Sequence, residues 1–353
     1  MPTSDAQLVA TLDRVMAGHG AADVPAAVAV IARPGSDPVC RARPTEADRE
    51  PRFFVYSVTK TFTAALFLLL QEEGLLGLDD ALARWVPRVP RSERITLRML
   101  LNHTAGIPDY GGLAAYHQAV RGSPGRSWTF ERYAAETYEK GLLFEPGQGW
   151  AYSNPGYMLL RRVAELVTGA PFDRLVDERI AEPLRLSRTG VALTTDDLAG
   201  LAPARSAALA GDGTPVDVRG SYDPGWVSHG VVASTASEVA RFVDSLFSGR
   251  LIAEASLAEM TRLVPVPLPG SEAAPDERPY AWREPSYGLG LMADPASPWG
   301  PVYGHDGRGP GYAASVFHAP RLGGVTVCVL GAEAPGFAAE HVVFTVLDEL
   351  ARA

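Results

Sequence analysis

Two short apolar stretches lie about 300 positions apart in this chain, and together they limit what it can fold into. VPAAVAVIARPG, from Val24, is rich in alanine and valine and closes on Pro-Gly, and VTVCVLGA, from Val325, is a β-branched run of similar character. Each has the length and composition of a buried strand. Residues 75–200 between them read mostly as helix, in ITLRMLLNHTAG, TFERYAAETYEKG, NPGYMLLRRVAELVTG and PFDRLVDERIAEPL, punctuated by proline and glycine. Strand signals return around Val191, over 226–233 and 287–292, and in VYGHDG and YAASVFHA. The pattern predicts an α/β chain of the α+β type, with an antiparallel sheet whose first strand pairs with the last ones. Amphipathic helices at the two ends would flank that sheet, the first presenting Leu8, Leu12, Val15 and Met16 on one face and the second being FAAEHVVFTVLDELARA.

A single domain over 1–353 follows, with an α/β lobe of about 1–75 and 205–353, a helical lobe of about 76–204 and a site in the cleft between them. Residues 264–285 are rich in proline and charge and read as a long surface loop with the reach of a lid. The net charge of −9 argues against a nucleic-acid partner, which needs clustered positive charge. Cys40 and Cys328 are too few for a disulfide framework or a four-ligand zinc site. The first residues lack a basic segment followed by an apolar one, and the longest apolar run, 64–70, is too short to span a bilayer, so the expectation is a cytoplasmic protein with no membrane partner.

Of 32 basic residues only Lys60 and Lys140 are lysines, so chemistry that needs a neutralisable amine has two candidates. Lys60 stands three residues after Ser57, at the head of the apolar run SVTKTFTAALFLLLQEEG. At that spacing the serine hydroxyl and the amine share a helix face, and an amine desolvated by such a helix can give up its proton and activate the serine. A second cluster, Tyr152-Ser153-Asn154, precedes Pro155-Gly156 and suits a helix start, which is reason enough for its composition. It also offers a phenol for proton relay and an amide to orient a substrate carbonyl. The third cluster, Tyr303-Gly304-His305-Asp306-Gly307-Arg308-Gly309, has strand signal on both sides, where glycines let a ligand or backbone approach closely. No Gly-x-Ser-x-Gly elbow and no His-Glu-x-x-His occurs, which leaves an α/β-hydrolase triad and a zinc hydrolase without their signatures. His103, in LLNHTAG, reads as a packed residue at a helix end.

In this order, Ser-x-x-Lys, Tyr-Ser-Asn and His-x-Gly resemble the motifs of the serine β-lactamase and penicillin-binding protein superfamily, in its class C-like branch. That branch includes DD-peptidases, D-aminopeptidases and β-lactamase-like esterases. LLNHTAGIPDY, GVVASTASEVARF and GHDGRGPGY extend the likeness over about Val24 to Leu330. The resemblance implies a β-lactamase/transpeptidase-like fold with no cofactor and no metal. It makes Ser57 the nucleophile of an acyl-enzyme, Lys60 its base and Tyr152 the group that protonates the leaving atom. Asn154, His305, Asp306 and Gly307 would bind substrate, and the backbone N–H groups of Ser57 and Arg308 would form the oxyanion hole. Lys60 and His305 would draw Tyr152 toward its phenolate. The position of Asp306 usually carries threonine or serine in the family; a carboxylate there would repel a substrate carboxylate and attract an amine. The expected partner is a small-molecule or peptide substrate, namely a small ester or a peptide containing a D-amino acid. A biosynthetic acyltransferase or peptide cyclase using the same acyl-enzyme, and a non-catalytic ligand-binding protein of the same fold, are the alternatives.

Overall fold

The structure is a computed structural model that describes residues 4–19, 26–43, 50–267 and 282–352. Its strands are β1 (Ala27–Ala32), β2 (Val39–Arg43), β3 (Phe53–Phe54), β4 (Gly190–Ala192), β5 (Arg205–Ser206), β6 (Val216–Asp217), β7 (Val231–Ser234), β8 (Val264–Pro265), β9 (Ser286–Tyr287), β10 (Met292–Asp294), β11 (Val302–Gly309), β12 (Tyr312–Ala319) and β13 (Val325–Ala332). Its helices are α1 (Asp5–Gly18), α2 (Thr59–Glu72), α3 (Leu97–Leu101), α4 (Ala114–Gly122), α5 (Phe130–Glu136), α6 (Asn154–Thr168), α7 (Phe172–Val176), α8 (Val218–Ser221), α9 (Ala236–Phe247), α10 (Glu254–Met260) and α11 (Ala339–Arg352).

The main sheet is antiparallel, in the order β2-β1-β13-β12-β11-β10-β9-β8. The first strand does pair with the last, Ala27 opposite Gly331 and Val30 opposite Cys328. Both strands are buried at every position, because helices cover the sheet on its two faces. Alternation along the strands sorts their side chains between these layers. Ala29, Ile31, Phe317, Val327 and Val329 meet Leu8, Leu12 and Met16 of α1 and Val343 and Leu347 of α11 on the outer face. Val28, Val30, Val316, Cys328 and Leu330 join a larger core with α2 and α9 on the inner face, where Phe62 stacks on Phe242 at 3.7 Å.

That inner core continues without a break through α2 into α3, α6 and α7. α2 is apolar almost all round, which suits a helix enclosed between a sheet and other helices. Gly74, at φ 72, ends it in the left-handed conformation that favours glycine. Ser153 caps α6, its Oγ accepting from Gly156 N at 3.0 Å, with Pro155 in the first turn and Gly169 at φ 71 beyond the end. The strand expected over 226–233 is shorter: Pro224–Trp226 is a 3-10 turn, Gly230 takes φ 87, and only then does β7 begin. Proline and the left-handed glycine break the extended backbone that the apolar content suggests. The two ends of the 264–285 loop are pinned together, β8 pairing with β9 and Val266 N donating to Pro285 O at 2.9 Å. Whether the loop closes as a lid falls on residues 268–281, outside the described residues. No helix among the described residues is long and apolar enough to cross a membrane.

Candidate active site

Ser57 sits in a single 3-10 turn, Tyr56–Val58, between β3 and α2. The turn opens with Tyr56 at φ 44, a left-handed conformation that costs a non-glycine residue on the order of 1–3 kcal/mol and persists only when its surroundings enforce it. They do so from two sides. The Tyr56 hydroxyl donates to Pro310 O at 2.6 Å, while Val55 N donates to Val232 O and Val232 N to Thr59 Oγ1, each at 3.0 Å. β11 also passes directly against the turn, because Gly307 has no side chain: a Cβ there would lie 2.0 Å from Val55 O and 3.0 Å from Ser57 N. β10 pairs with β11 only from Val302 to Gly304, so from His305 onward that edge has no paired strand among the described residues and borders Ser57.

Three side chains converge on the amine of Lys60. Its Nζ lies 3.2 Å from Ser57 Oγ, 2.7 Å from Asn154 Oδ1 and 3.3 Å from His229 Nε2. Tyr152 and Tyr157 present ring faces to it at 4.8 and 5.4 Å. Burial lowers the amine from its ordinary 10.5 to about 7, with Asp109 pulling the other way. The Tyr152 hydroxyl donates to Ser57 Oγ at 2.7 Å. Its phenol is pushed well above the ordinary tyrosine range by burial, and the Ser57 hydrogen bond opposes this only in part. The phenolate expected from the sequence is therefore not the favoured form, since burial disfavours the anion more than its neighbours support it.

His305 borders this cluster but takes its hydrogen bonds elsewhere. Its Nδ1 donates to Asp306 O at 2.6 Å, which leaves Nε2 to accept from the Tyr287 hydroxyl at 2.8 Å. Burial lowers it to about 3, so the imidazole is neutral and supplies no positive charge to Tyr152, whose ring centre is 6.5 Å away. Asp306 faces Ser315 across the strand pair, on the face that carries Phe317 toward α11. Burial first, and Glu340 second, push its carboxyl well above the usual carboxylate range. A charged Asp306 projecting into the pocket, as the sequence suggested, is thus replaced by a carboxyl on the outer face that burial drives toward its neutral form. Arg308 is exposed, at the rim beside Gly309 and Pro310.

Several contributors have no signal in the three motifs. Asp109 holds the second motif in place, accepting from Asn154 N at 2.9 Å and Gly111 N at 3.0 Å. His103, at φ 64 just past α3, accepts from Ser153 N through Nδ1 at 3.1 Å. His229, in the turn before β7, touches the Lys60 amine. Beside Ser57 opens a cavity of about 420 Å³ walled by Tyr110, Tyr116, Tyr222, Trp226 and Val227, with Glu333 and Arg308 at its rim.

Comparison with known proteins bears on this geometry. The chain is 29% identical over 325 residues to the esterase EstB of Burkholderia gladioli, covering 79% of this chain and 81% of that one. It is 29% identical over 284 residues to penicillin-binding protein 4* of Bacillus subtilis, covering 74% of this chain and spanning only 56% of that longer protein. Its fold superposes on a D-stereospecific amidohydrolase from Streptomyces with a TM-score of 0.77 at 30% identity, over 95% of this chain and 97% of the other. It superposes on the D-amino acid amidase of Ochrobactrum anthropi with a TM-score of 0.80 at 23% identity, over 98% and 99%. A profile of the Beta-lactamase family matches residues 12–343, which take in every strand of the main sheet, all of α2 and the three motifs, and the chain belongs to that family.

Proposed function

We propose that this protein is a serine hydrolase that forms an acyl-enzyme at Ser57 on an ester or an amide. The observation that carries the reading is the two-sided contact on Ser57 Oγ, with the Lys60 amine at 3.2 Å and the Tyr152 phenol at 2.7 Å. With its amine near 7, Lys60 is substantially unprotonated at neutral pH, and its lone pair accepts the Ser57 proton as Oγ bonds to the substrate carbonyl carbon. The negative charge that develops on the carbonyl oxygen meets the N–H groups of Ser57 and Arg308 where β11 passes the turn. As the bond to the leaving atom breaks, the Tyr152 phenol donates its proton to that atom, and the proton that Lys60 took from Ser57 restores the phenol. Water then adds to the acyl carbon, passing a proton back through the same pair, and Ser57 Oγ departs as the hydroxyl.

Asn154 gives its Oδ1 to Lys60, which directs its Nδ2 toward a substrate carbonyl. The aromatic cavity suits a bulky apolar acyl group, and Glu333 at its rim suits a substrate that carries an amine. An esterase and a D-stereospecific amidohydrolase among the similar proteins support the same two substrate classes.

The test is a fluorophosphonate probe followed by a panel of p-nitrophenyl esters and D- and L-phenylalanine amides. Wild-type protein is expected to gain one probe mass on the peptide containing Ser57, and Ser57→Ala to gain none and to lose turnover by at least roughly a thousandfold. Folded wild-type protein that neither labels nor turns over any of the panel overturns the reading.

A further inference from the structure

The amine of Lys60 has three polar neighbours, and the hydrolase reading uses only two of them. The third is His229, buried, from a turn that the fold fixes in place: Gly230 N donates to Val227 O at 2.8 Å, and Val232 of the following strand is hydrogen-bonded both to Val55 and to Thr59 beside the nucleophile. Its Nε2 lies 3.3 Å from Nζ. Its Nδ1 is buried with no hydrogen-bond partner among the described residues, so nothing on that side pins the tautomer. Burial first, then the charge of Lys60, hold the ring well below the ordinary histidine range, and so uncharged.

A neutral lysine amine has two hydrogens and one lone pair. Asn154 Oδ1, oriented by its contact with the amine, accepts one hydrogen. If His229 Nε2 accepts the other, the lone pair is left for Ser57 Oγ–H. After proton transfer the three hydrogens of the ammonium find three acceptors in Asn154, His229 and Ser57. If the ring instead carries its hydrogen on Nε2, that hydrogen takes the lone pair and Lys60 cannot accept from Ser57; the ammonium would also face a donor. Only the tautomer with Nε2 bare serves both states of Lys60.

We propose that His229 is a positioning residue that acts through Lys60, its bare Nε2 aiming the amine's lone pair at Ser57 and accepting from the ammonium that forms. The inference rests on the acyl-enzyme reading and adds a residue to it. The groups that face Lys60 are Asp109 and His103 from the loop after α3, Tyr152 and Tyr157 around the start of α6, His305 from β11, and His229. Arg161 of α6 adds to the electrostatics around His229. All of these except His229 stay unchanged in the variants below.

The experiment is the burst rate of acylation by p-nitrophenyl acetate, followed by stopped flow from pH 5 to 9, for wild type and for His229→Phe, His229→Gln and His229→Asn. Glutamine reaches with an acceptor near the place of Nε2, and asparagine only near that of Nδ1. In His229→Phe the plateau rate is expected to fall roughly 10- to 100-fold. Its acidic limb is expected to move to lower pH by about one unit, because the ammonium loses an acceptor. Glutamine is expected to recover the rate to within about fivefold of wild type and asparagine to fall with phenylalanine. A Phe variant with wild-type plateau and limb, or Gln and Asn variants equally impaired, overturns the proposal. If the Phe variant does not fold, the Gln and Asn pair decides alone. Wild-type protein that forms no Ser57 adduct and releases no p-nitrophenol from this ester would instead count against the acyl-enzyme.

Discussion

Lys60→Arg is expected to turn over esters at no more than about a hundredth to a ten-thousandth of the wild-type rate, nearly as badly as Lys60→Met. The two variants fail for the same reason. Arginine keeps its positive charge but cannot surrender its proton at any working pH, so the lone pair that faces Ser57 Oγ is gone in both. They part company in stability. The fold holds the Lys60 amine near 7 while an unfolded chain holds it near 10.5, so between those pH values the unfolded state binds a proton that the native state does not. Stability therefore falls as pH drops from about 10.5 to about 7 and is flat, for this group, below that. Methionine removes the dependence. Lys60→Met is expected to be more stable than wild type at pH 7 by on the order of a few kcal/mol, less whatever Asn154 and His229 lose as partners, with the gain shrinking toward pH 10. Thermal unfolding of both proteins at pH 7, 8.5 and 10 reads this directly. A stability difference that does not change with pH, or near-wild-type turnover in Lys60→Arg, removes Lys60 from the role of neutral base.

Gly307→Ala is the second large effect, and it works through backbone. The added Cβ would meet Val55 O at 2.0 Å and lie 3.0 Å from Ser57 N, neither being a flexible side-chain end. β11 or the Tyr56–Val58 turn must shift, and either movement separates the N–H of Ser57 from that of Arg308. Acylation is expected to fall by about a hundredfold to a thousandfold, the scale of losing one oxyanion donor. Stability is expected to drop by about 1–3 kcal/mol from overpacking. Gly211→Ala is the control, since a Cβ there meets nothing within 4 Å, and a change within about 0.5 kcal/mol is expected. Equal behaviour of the two variants would mean that the turn yields freely and that close passage of β11 is not what aligns the site.

The sequence made the first and last strands and the three motifs legible because each is local. β1 and β13 are short apolar runs with turn residues beside them, and Ser57, Lys60 and Tyr152 fall in fixed spacings that have a chemical meaning. The structure brings those three together, with Asn154, and adds what spacing cannot carry. His229 and Asp109 reach the cluster from loops far away in the chain, and neither loop has a periodicity to announce it. Asp306 misled for a simple reason: a strand places alternate side chains on opposite faces, and the sequence does not say which face is wet. The phenolate reading of Tyr152 failed on burial, since the charges credited with stabilising it are a neutral imidazole and an amine that is itself half discharged at neutral pH.

The passage of β11 beside the Tyr56–Val58 turn also sets when the surroundings of Ser57 can first form. Ser57 leaves the ribosome about 250 residues ahead of Gly307. At roughly 5–20 residues per second, that is an interval of roughly 10 to 50 s. During it the turn lacks the strand that holds Tyr56 in its left-handed conformation, and α2 lacks the inner face that covers it. A nascent chain therefore carries Ser57 and Lys60 without the strand that borders them and without a dry pocket. The pocket around Ser57 takes its shape only once β11 has been made, and until then α2 is an apolar helix without its cover.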